Sequence, residues 1–382
     1  MKNLFFSGPR LIEVYDQKKN NFHLVRFVLA MTVIYTHSIV LLGNKGDHLA
    51  ELSNYQIDAG RLAVYCFFIV SGFLVTQSAL HSESTIEFVA KRILRIVPAF
   101  LVSLLLVAFV IGPIVTPLSL SEYFRPDPQG DPYRFVQRNI TFGLTGGFLW
   151  EYKDVFSGNP RPNAVNGSMW TLSHEVACYA IIAILLFMGL LRKRYFMVAL
   201  LGIAACAIFA YFELGFAPIK EKIVWWWVLN PWNYDRFIRL VFFFISGSLM
   251  YLFKEKVPYN KKLFIISIAG IVVAMIFGKI HLGLYLFLPY AVIYCCIGAK
   301  YASFQQYGDY SYGLYIFSFP IQQTILHYKA DWTIPQFLIL SSVASLIVAF
   351  FSWHVIEKPA LGLKKMFRAQ KEKIVVPSNV KT

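Results

Sequence analysis

Charged residues are scarce in this chain. Of its 382 residues, 15% are charged and 57% are hydrophobic, and the mean hydropathy is +0.55. A soluble domain keeps its charged residues on the surface and needs more of them, so the composition excludes that class. Repeated apolar runs of membrane-spanning length instead indicate an all-α, polytopic membrane protein, because a helix satisfies its backbone hydrogen bonds within one segment in lipid.

Cysteine is also rare, and its spacing suits no metal site. All five cysteines fall within predicted membrane spans: Cys66, Cys178, Cys206, Cys295 and Cys296. We interpret them as small buried residues and predict no disulfide framework, no metal site and no permanently bound cofactor. We also expect no cleaved signal peptide, because 23 mostly polar residues precede the first apolar run.

The net charge of +15 has two candidate explanations. A continuous basic stripe would indicate nucleic-acid binding. Here the lysines and arginines lie mainly in short loops between apolar runs, which is the positive-inside pattern of membrane proteins. We therefore predict membrane lipids as partners and no nucleic acid.

The apolar runs predict the fold and its orientation. Cation-rich loops alternate with loops that carry Asp and Glu, which places both termini in the cytoplasm, as an even number of spans requires. We predict one bundle of about ten transmembrane helices over residues 1–363 and a basic, disordered cytoplasmic tail over 364–382. The spans are predicted at 24–42, 62–80, 93–115, 168–190, 195–212, 237–253, 262–278, 282–299, 308–327 and 335–356.

The longest connection, about 116–167, lies outside the cell in this topology. A loop of this length is uncommon unless it binds something or covers a site. A partly ordered surface loop is the alternative.

Two segments of the chain resemble each other in register. Arg61 precedes FFIVSGFL (67–74), and Arg236 precedes FFFISGSL (242–249). The Ser-Gly pair in each segment allows close helix approach, so convergent packing is one explanation. A true parallel repeat, which would favour a transporter, is the other.

The first span carries two ionisable residues, Arg26 and His37. They are 11 residues apart, so on a helix they lie on one face, about 20° from alignment and about 16 Å apart in rise. Ionisable groups inside a span are costly and often mark a substrate or ion path. In the alternative reading, Arg26 only reaches the headgroups and His37 is a packing residue.

The third and fourth spans add further candidates. Arg92 and Arg95 share a helix face at the predicted cytoplasmic surface, where their guanidinium groups suit a polyphosphate; ordinary anchoring is the alternative. Arg26 lies at the same depth on the first span, which weakens that alternative and adds Arg26 to the predicted phosphate-binding site. Glu175 lies about 10 Å inside the outer end of its span, and His37 about 8 Å inside its own. If these spans are neighbours, the carboxylate can orient the imidazole as a general base. The sequence leaves open whether His174 faces the site.

Six segments, taken in order, resemble one family. They are Arg26-x10-His37, FFIVSGFL (67–74), Arg92-x-x-Arg95-x-x-Pro98, Trp170-x-x-Ser-x-Glu175, YGDYSYGLYIFSFPIQQ (307–323) and SWHVIEKP (352–359). Together they are similar to acyltransferase family 3 of bacterial integral membrane proteins, over nearly the whole chain. The resemblance implies transfer of an acyl group, usually acetyl, from cytoplasmic acyl-CoA to a carbohydrate hydroxyl. The acceptor would be a surface polysaccharide or its lipid-linked precursor, and the location the bacterial plasma (inner) membrane.

The resemblance also implies roles for particular residues. Arg26 and His37 would be essential for catalysis, Arg92 and Arg95 would meet the donor, and Glu357 would be a further functional carboxylate. Two more candidates lie in the matching segments, Ser71 and Trp170.

The chain departs from the family pattern in two places. Ser318 stands where many members have a histidine, so that position receives no proton-transfer role. We find no esterase-like segment after the tenth span, so we expect the chemistry to occur within the membrane domain.

Other functions remain open at this point. A transporter of a polyprenyl-linked sugar or other amphiphile would use His37 and Glu175 as a proton relay. It would need broken helices, for which Pro98, Pro289 and Pro320 are candidates. A non-catalytic sensor or assembly protein would leave the clustered ionisable residues unexplained. Within the acyltransferase hypothesis, the histidine could act as a base or as a nucleophile that forms an acyl-imidazole.

Overall fold

The computed structural model describes residues 8–143, 147–212 and 231–364. Within these ranges the regular secondary structure is helical, apart from one isolated backbone bridge between Arg10 and Pro258. Each of the ten predicted spans overlaps a long helix. The helices are α1 (Phe22–Leu41), α2 (Ala59–Leu80), α3 (Thr85–Leu106), α4 (Trp170–Phe187), α5 (Arg194–Phe212), α6 (Pro231–Leu252), α7 (Lys261–Ile276), α8 (Ile280–Ile297), α9 (Ser311–Tyr328) and α10 (Ile334–Phe351).

Six of the described helical segments are long and apolar enough to cross a bilayer. They are Phe22–Leu41, Ala59–Leu80, Thr85–Val115, Trp170–Phe187, Ile280–Ile297 and Ile334–Gly362. The chain is therefore a membrane protein. The count of ten crossings, the cytoplasmic termini and the division at residue 363 stay predictions, and the predicted tail lies outside the described residues from residue 365 onward.

Helices α2 and α3 each begin after a residue whose side chain caps them, and three helices continue through an internal proline. The side chain of Asp58 accepts a hydrogen bond from the backbone at the start of α2, and Ser84 does the same for α3. Pro98, Pro289 and Pro320 lie inside α3, α8 and α9. The broken helices that a transporter needs are therefore not found at these three positions.

Two long helices change their winding near one end. The helix that begins as α3 passes through a π-helical segment at Val107–Ile111, and α10 continues into another at Ser352–Glu357. Such segments are rare and often lie at functional sites. The second one forms most of the SWHVIEKP segment and brings Glu357 to the inner face of the bundle, where it is buried.

Helices α2 and α6 cross at two glycines. A Cβ atom on Gly72 would lie 1.9 Å from the carbonyl oxygen of Phe244, and one on Gly247 would lie 1.9 Å from that of Ile69. No side chain fits at such distances, so the crossing requires glycine on both helices. Ser248 strengthens it by donating its hydroxyl to the Gly72 carbonyl at 3.2 Å. The predicted close approach at the two Ser-Gly pairs is confirmed.

Helix α1 packs against α2, α9 and α10. Its buried residues Ala30 and Ile34 form a small core with Leu314 of α9 and Ala349 of α10. This core fixes which neighbours the functional side chains of α1 can meet.

The loop between α3 and α4 is folded where the structure describes it. It contains two short helices, Leu120–Tyr123 and Pro132–Ile140. Its last part is anchored on α9: the Asn159 side chain donates to the Gln323 carbonyl at 2.8 Å, and the Gln323 side chain donates to the Ala164 carbonyl at 2.8 Å. The loop therefore covers one end of the α1–α9 pair.

The interpretation of the cysteines is correct for three of the five. Cys66, Cys178 and Cys296 are buried, whereas Cys206 and Cys295 are exposed on the outside of the bundle. The prediction of burial was wrong for these two because lipid is as apolar as a protein core, so hydrophobicity alone does not separate a lipid-facing thiol from a buried one.

Candidate active site

A buried carboxylate, Asp309, lies two residues before α9 and joins three helices. Arg26 of α1 donates from Nη1 to Asp309 Oδ2 at 2.5 Å. Arg95 of α3 donates from Nη2 to the same oxygen at 2.6 Å. The other terminal nitrogen of Arg95 reaches Glu357 Oε2 at 3.0 Å. We call these four residues the arginine–carboxylate network.

Two serines satisfy the remaining carboxylate oxygens of this network. Ser311 donates to Asp309 Oδ1 at 2.6 Å, and Ser352 donates to Glu357 Oε1 at 2.9 Å. Only 6% of Asp309 and 2% of Glu357 is exposed. Removing Arg95 would leave Glu357 buried without its ion-pair partner, and an unpaired buried charge is strongly destabilising.

Arg92 differs from the other two arginines. Among the described residues it has no carboxylate ion-pair partner. Its Nη2 donates to Ser78 Oγ at 3.1 Å, and its guanidinium lies over the rings of Phe88 and Tyr179, 5.8 and 5.7 Å from their centroids. Its Nε is buried without a hydrogen-bond partner in the described structure. No direct ion pair therefore neutralises the charge of Arg92.

The three arginines line one cavity, together with Ser71 and Glu175. All three thus share one site, as the matched depth of Arg26, Arg92 and Arg95 in the predicted topology suggested.

The cavity extends from the arginines toward the level of His37. On α2 its lining runs from Val75 to Val64, which is about 16 Å of helix. Gly60 of α2 packs against Thr36 of α1, since a Cβ on Gly60 would lie 3.1 Å from the Thr36 side chain. The far end of the cavity is therefore about one helical turn from the level of His37.

Glu175 lies in the cavity lining and is not hydrogen-bonded to His37. Its Oε1 accepts hydrogen bonds from Tyr179 at 2.5 Å and from Ser71 at 3.3 Å. Helix α4 packs mainly against α2, α3 and α6, whereas α1 packs mainly against α2, α9 and α10. The condition for the expected pairing, that the two helices are close neighbours, is therefore not met.

His37 faces α9, where unpaired polar atoms are concentrated. Its ring meets Phe319 edge-on, with the ring centroids 5.1 Å apart. His37 Nδ1, Ser318 Oγ and Gln322 Oε1 are buried and have no hydrogen-bond partner among the described residues. Gln322 is held by donating its amide to Ser38 at 2.8 Å. Buried polar atoms without partners are few in native proteins, and a substrate site is one explanation for them.

Arg26 and His37 lie on the same face of α1, as predicted. Arg26 contacts Asp309 just before α9, and His37 contacts Phe319 ten residues further along the chain. The helix face that carries both residues is thus the one turned toward α9.

His174 and Trp170 lie outside the cavity lining. His174 is fully buried, and its Nδ1 is 2.7 Å from the Trp170 carbonyl oxygen. Trp170 carries the guanidinium of Arg236 over its ring, 5.3 Å from the ring centre. The question left open for His174 is answered: it takes part in the packing of α4 against α6.

Sequence reasoning missed two residues of the site, Asp309 and Tyr179. Asp309 lies within the YGDYSYG segment, at the end of a span where cations gather, and a lone acid in that place is the signal that could have found it. Tyr179 follows Glu175 by four residues, the spacing at which side chains on a helix meet.

Comparison with known proteins decides the family. The family model for an acyltransferase domain matches residues 19–354, a range that includes Arg26, His37 and Asp309. The chain belongs to acyltransferase family 3. This confirms the resemblance, and it makes the protein an enzyme.

Two curated relatives of this family 3 chain extend over most of its length. The O-acetyl transferase of Shigella phage Sf6 is 29% identical over 345 residues, 89% of this chain and 96% of that protein. Nodulation protein 10 of Rhizobium leguminosarum bv. viciae is 24% identical over 372 residues, 92% of this chain and 96% of that protein. No solved structure matches this member of acyltransferase family 3.

Proposed function

We propose that this enzyme is a multi-pass O-acyltransferase of the bacterial inner membrane that modifies carbohydrate. The acyl group, acetyl in the simplest case, would come from cytoplasmic acyl-CoA and pass to a hydroxyl of a surface or lipid-linked carbohydrate. Family membership establishes acyl transfer. The observation that carries the rest is the position of the arginine-lined cavity and of His37 at opposite ends of α1.

The donor site is assigned to the cavity end. CoA carries several phosphates and stays on the cytoplasmic side, where the predicted topology places Arg26, Arg92 and Arg95. Arg92 is the natural first contact, because its guanidinium has no ion-pair partner in the described structure and can grip two phosphate oxygens. Arg26 and Arg95 are held by carboxylates and add positive potential beside it.

The reacting thioester is assigned to the His37 end. The pantetheine arm is long and mostly neutral, and the cavity offers it a path along α2 from Val75 to Val64. The acyl carbon would leave the cavity within about one helical turn of the level of His37. An acceptor that enters from the other side of the membrane would meet it there.

His37 is assigned the role of general base. Its imidazole takes the proton of the acceptor hydroxyl while that oxygen bonds to the acyl carbon. The tetrahedral intermediate then collapses, the carbon–sulfur bond breaks, and the CoA thiolate receives the proton from the imidazolium. Neutral His37 is thereby restored. In the nucleophilic alternative an acyl-imidazole forms first, and a covalent intermediate would be found by mass spectrometry of the enzyme mixed with acyl-CoA alone.

The transporter alternative finds less support. It relied on a proton relay between His37 and Glu175, yet Glu175 is hydrogen-bonded to Ser71 and Tyr179 and not to His37.

The proposed function is tested with the purified protein in lipid nanodiscs. Acetyl-CoA and a de-O-acetylated surface glycan are added. The free thiol of released CoA is followed over time, and the mass of the glycan is measured by mass spectrometry. We expect one acetyl group on the glycan for each thiol released, and neither product with His37→Gln. Glycan binding without any consumption of acetyl-CoA would overturn the proposal.

The proposed orientation has a separate test. Gln129 is exposed in the loop between α3 and α4. A Gln129→Cys variant should react with a membrane-impermeant maleimide in intact cells, while the parent protein, with its own cysteines, provides the background. Labelling only after permeabilisation would reverse the orientation.

A further inference from the structure

A polar cleft lies in the folded loop between α3 and α4, apart from the arginine-lined cavity. It is lined by Asp127, Gln129, Glu151, Asp154 and Asn163 among others, and its volume is about 380 Å³. That volume is within the range of small-ligand sites. In the proposed topology the cleft opens on the outer side of the membrane, the side from which the acceptor would come.

The lining of the cleft is rich in hydrogen-bond acceptors. Asp127, Glu151 and Asp154 present carboxylates, and the one cationic side chain of the lining, Lys153, is held by Asp127 at 3.3 Å. The side-chain oxygen of Asn163 is buried and has no hydrogen-bond partner among the described residues. A ligand that supplies many donors and no negative charge, such as a polyhydroxylated sugar, complements this lining, whereas an anionic sugar is repelled by it.

The cleft is connected to His37 through the chain itself. Asn163 is followed four residues later by Gly167, which packs so closely on Phe319 that a Cβ there would lie 2.6 Å from the ring. Phe319 in turn meets the His37 ring edge-on. The segment from Asn163 to Gly167 therefore leads from the cleft to the aromatic ring beside the proposed base.

We propose that this cleft is the acceptor subsite and that it selects neutral, hydroxyl-rich saccharides over acidic ones. The proposal rests on the proposed function and adds to it the place and the chemical class of the acceptor. A saccharide unit bound at Asn163 would hold the neighbouring unit of the same glycan toward His37.

The first test truncates Asn163. Asn163 has a left-handed backbone with φ of 62°, which glycine adopts without strain, so Asn163→Gly removes the side chain and its unpaired oxygen without straining the backbone. The probe is whichever short neutral oligosaccharide the wild-type enzyme acetylates best from a panel of glucose, galactose, rhamnose and N-acetylglucosamine oligomers. We expect its KM to rise about five- to tenfold, from the loss of one hydrogen bond to a buried acceptor, with the KM for acetyl-CoA unchanged. Gln137→Ala, which truncates an exposed amide of the same loop outside the cleft, should change neither value.

The second test concerns charge and does not depend on the first variant. Wild-type enzyme should prefer a neutral oligosaccharide over its uronic-acid counterpart, and the Glu151→Gln, Asp154→Asn double variant should narrow that preference by about tenfold. Unchanged acceptor KM in Asn163→Gly, or an unchanged preference in the double variant, would overturn the subsite assignment while acetyl transfer itself persists. If wild-type enzyme acetylated no carbohydrate, the proposed function would fail instead, so the two failures are distinguishable.

Discussion

Two groups of residues near opposite ends of α1, the arginine–carboxylate network and the polar residues around His37, differ in how their polar atoms are satisfied. At the Arg26 end, Arg26 and Arg95 are paired with Asp309 and Glu357, and serine hydroxyls complete the carboxylates. This network is satisfied by the protein alone. Its main role in the absence of substrate is therefore to hold α1, α3, α9 and α10 together.

At the other end of α1, polar atoms lack partners. His37 Nδ1, Ser318 Oγ and Gln322 Oε1 are buried and unpaired within the described structure. Hydrogen bonds that form only when a substrate arrives contribute to binding and reaction and not to folding. The comparison indicates that the arginine–carboxylate network contributes to stability and that, in the proposed function, the His37 end contributes to catalysis, so substitutions in the two places should affect different measurements.

The largest expected effect is a loss of turnover on substitution of His37, at the end of α1 where buried polar atoms lack partners. General-base catalysis typically contributes about 10²–10⁴-fold, so His37→Gln should lose roughly that much turnover. Glutamine keeps a hydrogen-bonding group of similar size but cannot accept the proton. CoA affinity and the melting temperature should remain those of wild type, as measured by calorimetry and thermal unfolding in detergent.

His81→Gln is the matched control for this substitution. His81 is exposed just after α2 and lies outside the cavity lining, so its replacement should leave turnover unchanged. Acyl transfer by His37→Gln at near the wild-type rate would make His37 a packing residue and misplace the reaction.

Substitutions in the arginine–carboxylate network should instead lower the stability of the protein. Arg95→Ala leaves Glu357 buried without its ion-pair partner and Asp309 with Arg26 alone, which should lower the free energy of unfolding by about 3–5 kcal/mol. Arg194→Ala breaks an ion pair with Glu255 that is exposed on both sides, so it should cost at most about 1 kcal/mol. Denaturant unfolding in mixed micelles measures both, and equal losses in the two variants would contradict the assigned role of the network.

Arg92 should separate donor binding from stability within the cavity. Arg92→Lys keeps the charge but loses the planar fork, so CoA affinity should fall by about tenfold while the melting temperature changes little. Lys91→Ala is the control, because Lys91 lies on the same turn and is already paired with Glu87 at 2.7 Å. A larger loss of CoA affinity in Lys91→Ala than in Arg92→Lys would place the phosphates elsewhere.

The smallest expected effect is a loss of stability on substitution of Ser352, which contacts only one carboxylate of the arginine–carboxylate network. Ser352→Ala removes one hydrogen bond to Glu357 and should cost about 1 kcal/mol of stability, with the KM for acyl-CoA unchanged. Ser341, also on α10, has a buried hydroxyl without a partner in the described structure. Ser341→Ala should therefore be neutral or slightly stabilising, and a greater loss there than at Ser352 would refute the contribution of the network hydrogen bond.

Features that depend on local periodicity could be predicted from the sequence. The ten apolar runs overlap helices because the length and the hydropathy of a span depend only on residues that are consecutive in the sequence. Arg26 and His37 share a face for the same kind of reason, since their spacing nearly matches whole helical turns. A close helix approach was predictable at Gly72 and at Gly247, because small residues are the local signal for it, although not that these two helices meet each other.

Features that depend on which helices are neighbours could not be predicted in this way. Asp309 is 283 positions from Arg26 and 214 from Arg95, and no local pattern indicates that they meet. Glu175 was placed at a suitable depth, but depth does not determine which helix lies beside it. In lipid, apolar surfaces of all helices are alike, so the choice of neighbour depends on side-chain fit along the whole interface.

The glycine crossing has a consequence for the size of the arginine-lined cavity. Helix α2 supplies one wall of that cavity, from Val64 to Val75, and on another face its backbone touches α6 at Gly72. Because no side chain separates the two backbones, α2 cannot move closer to α6, and this wall of the cavity is fixed in position. In the proposed function, room for a bulkier donor must therefore come from the facing helices, where the lining consists of side chains such as Leu172 and Tyr179. The width of the arginine-lined cavity is then set from one side, by the side chains that face α2.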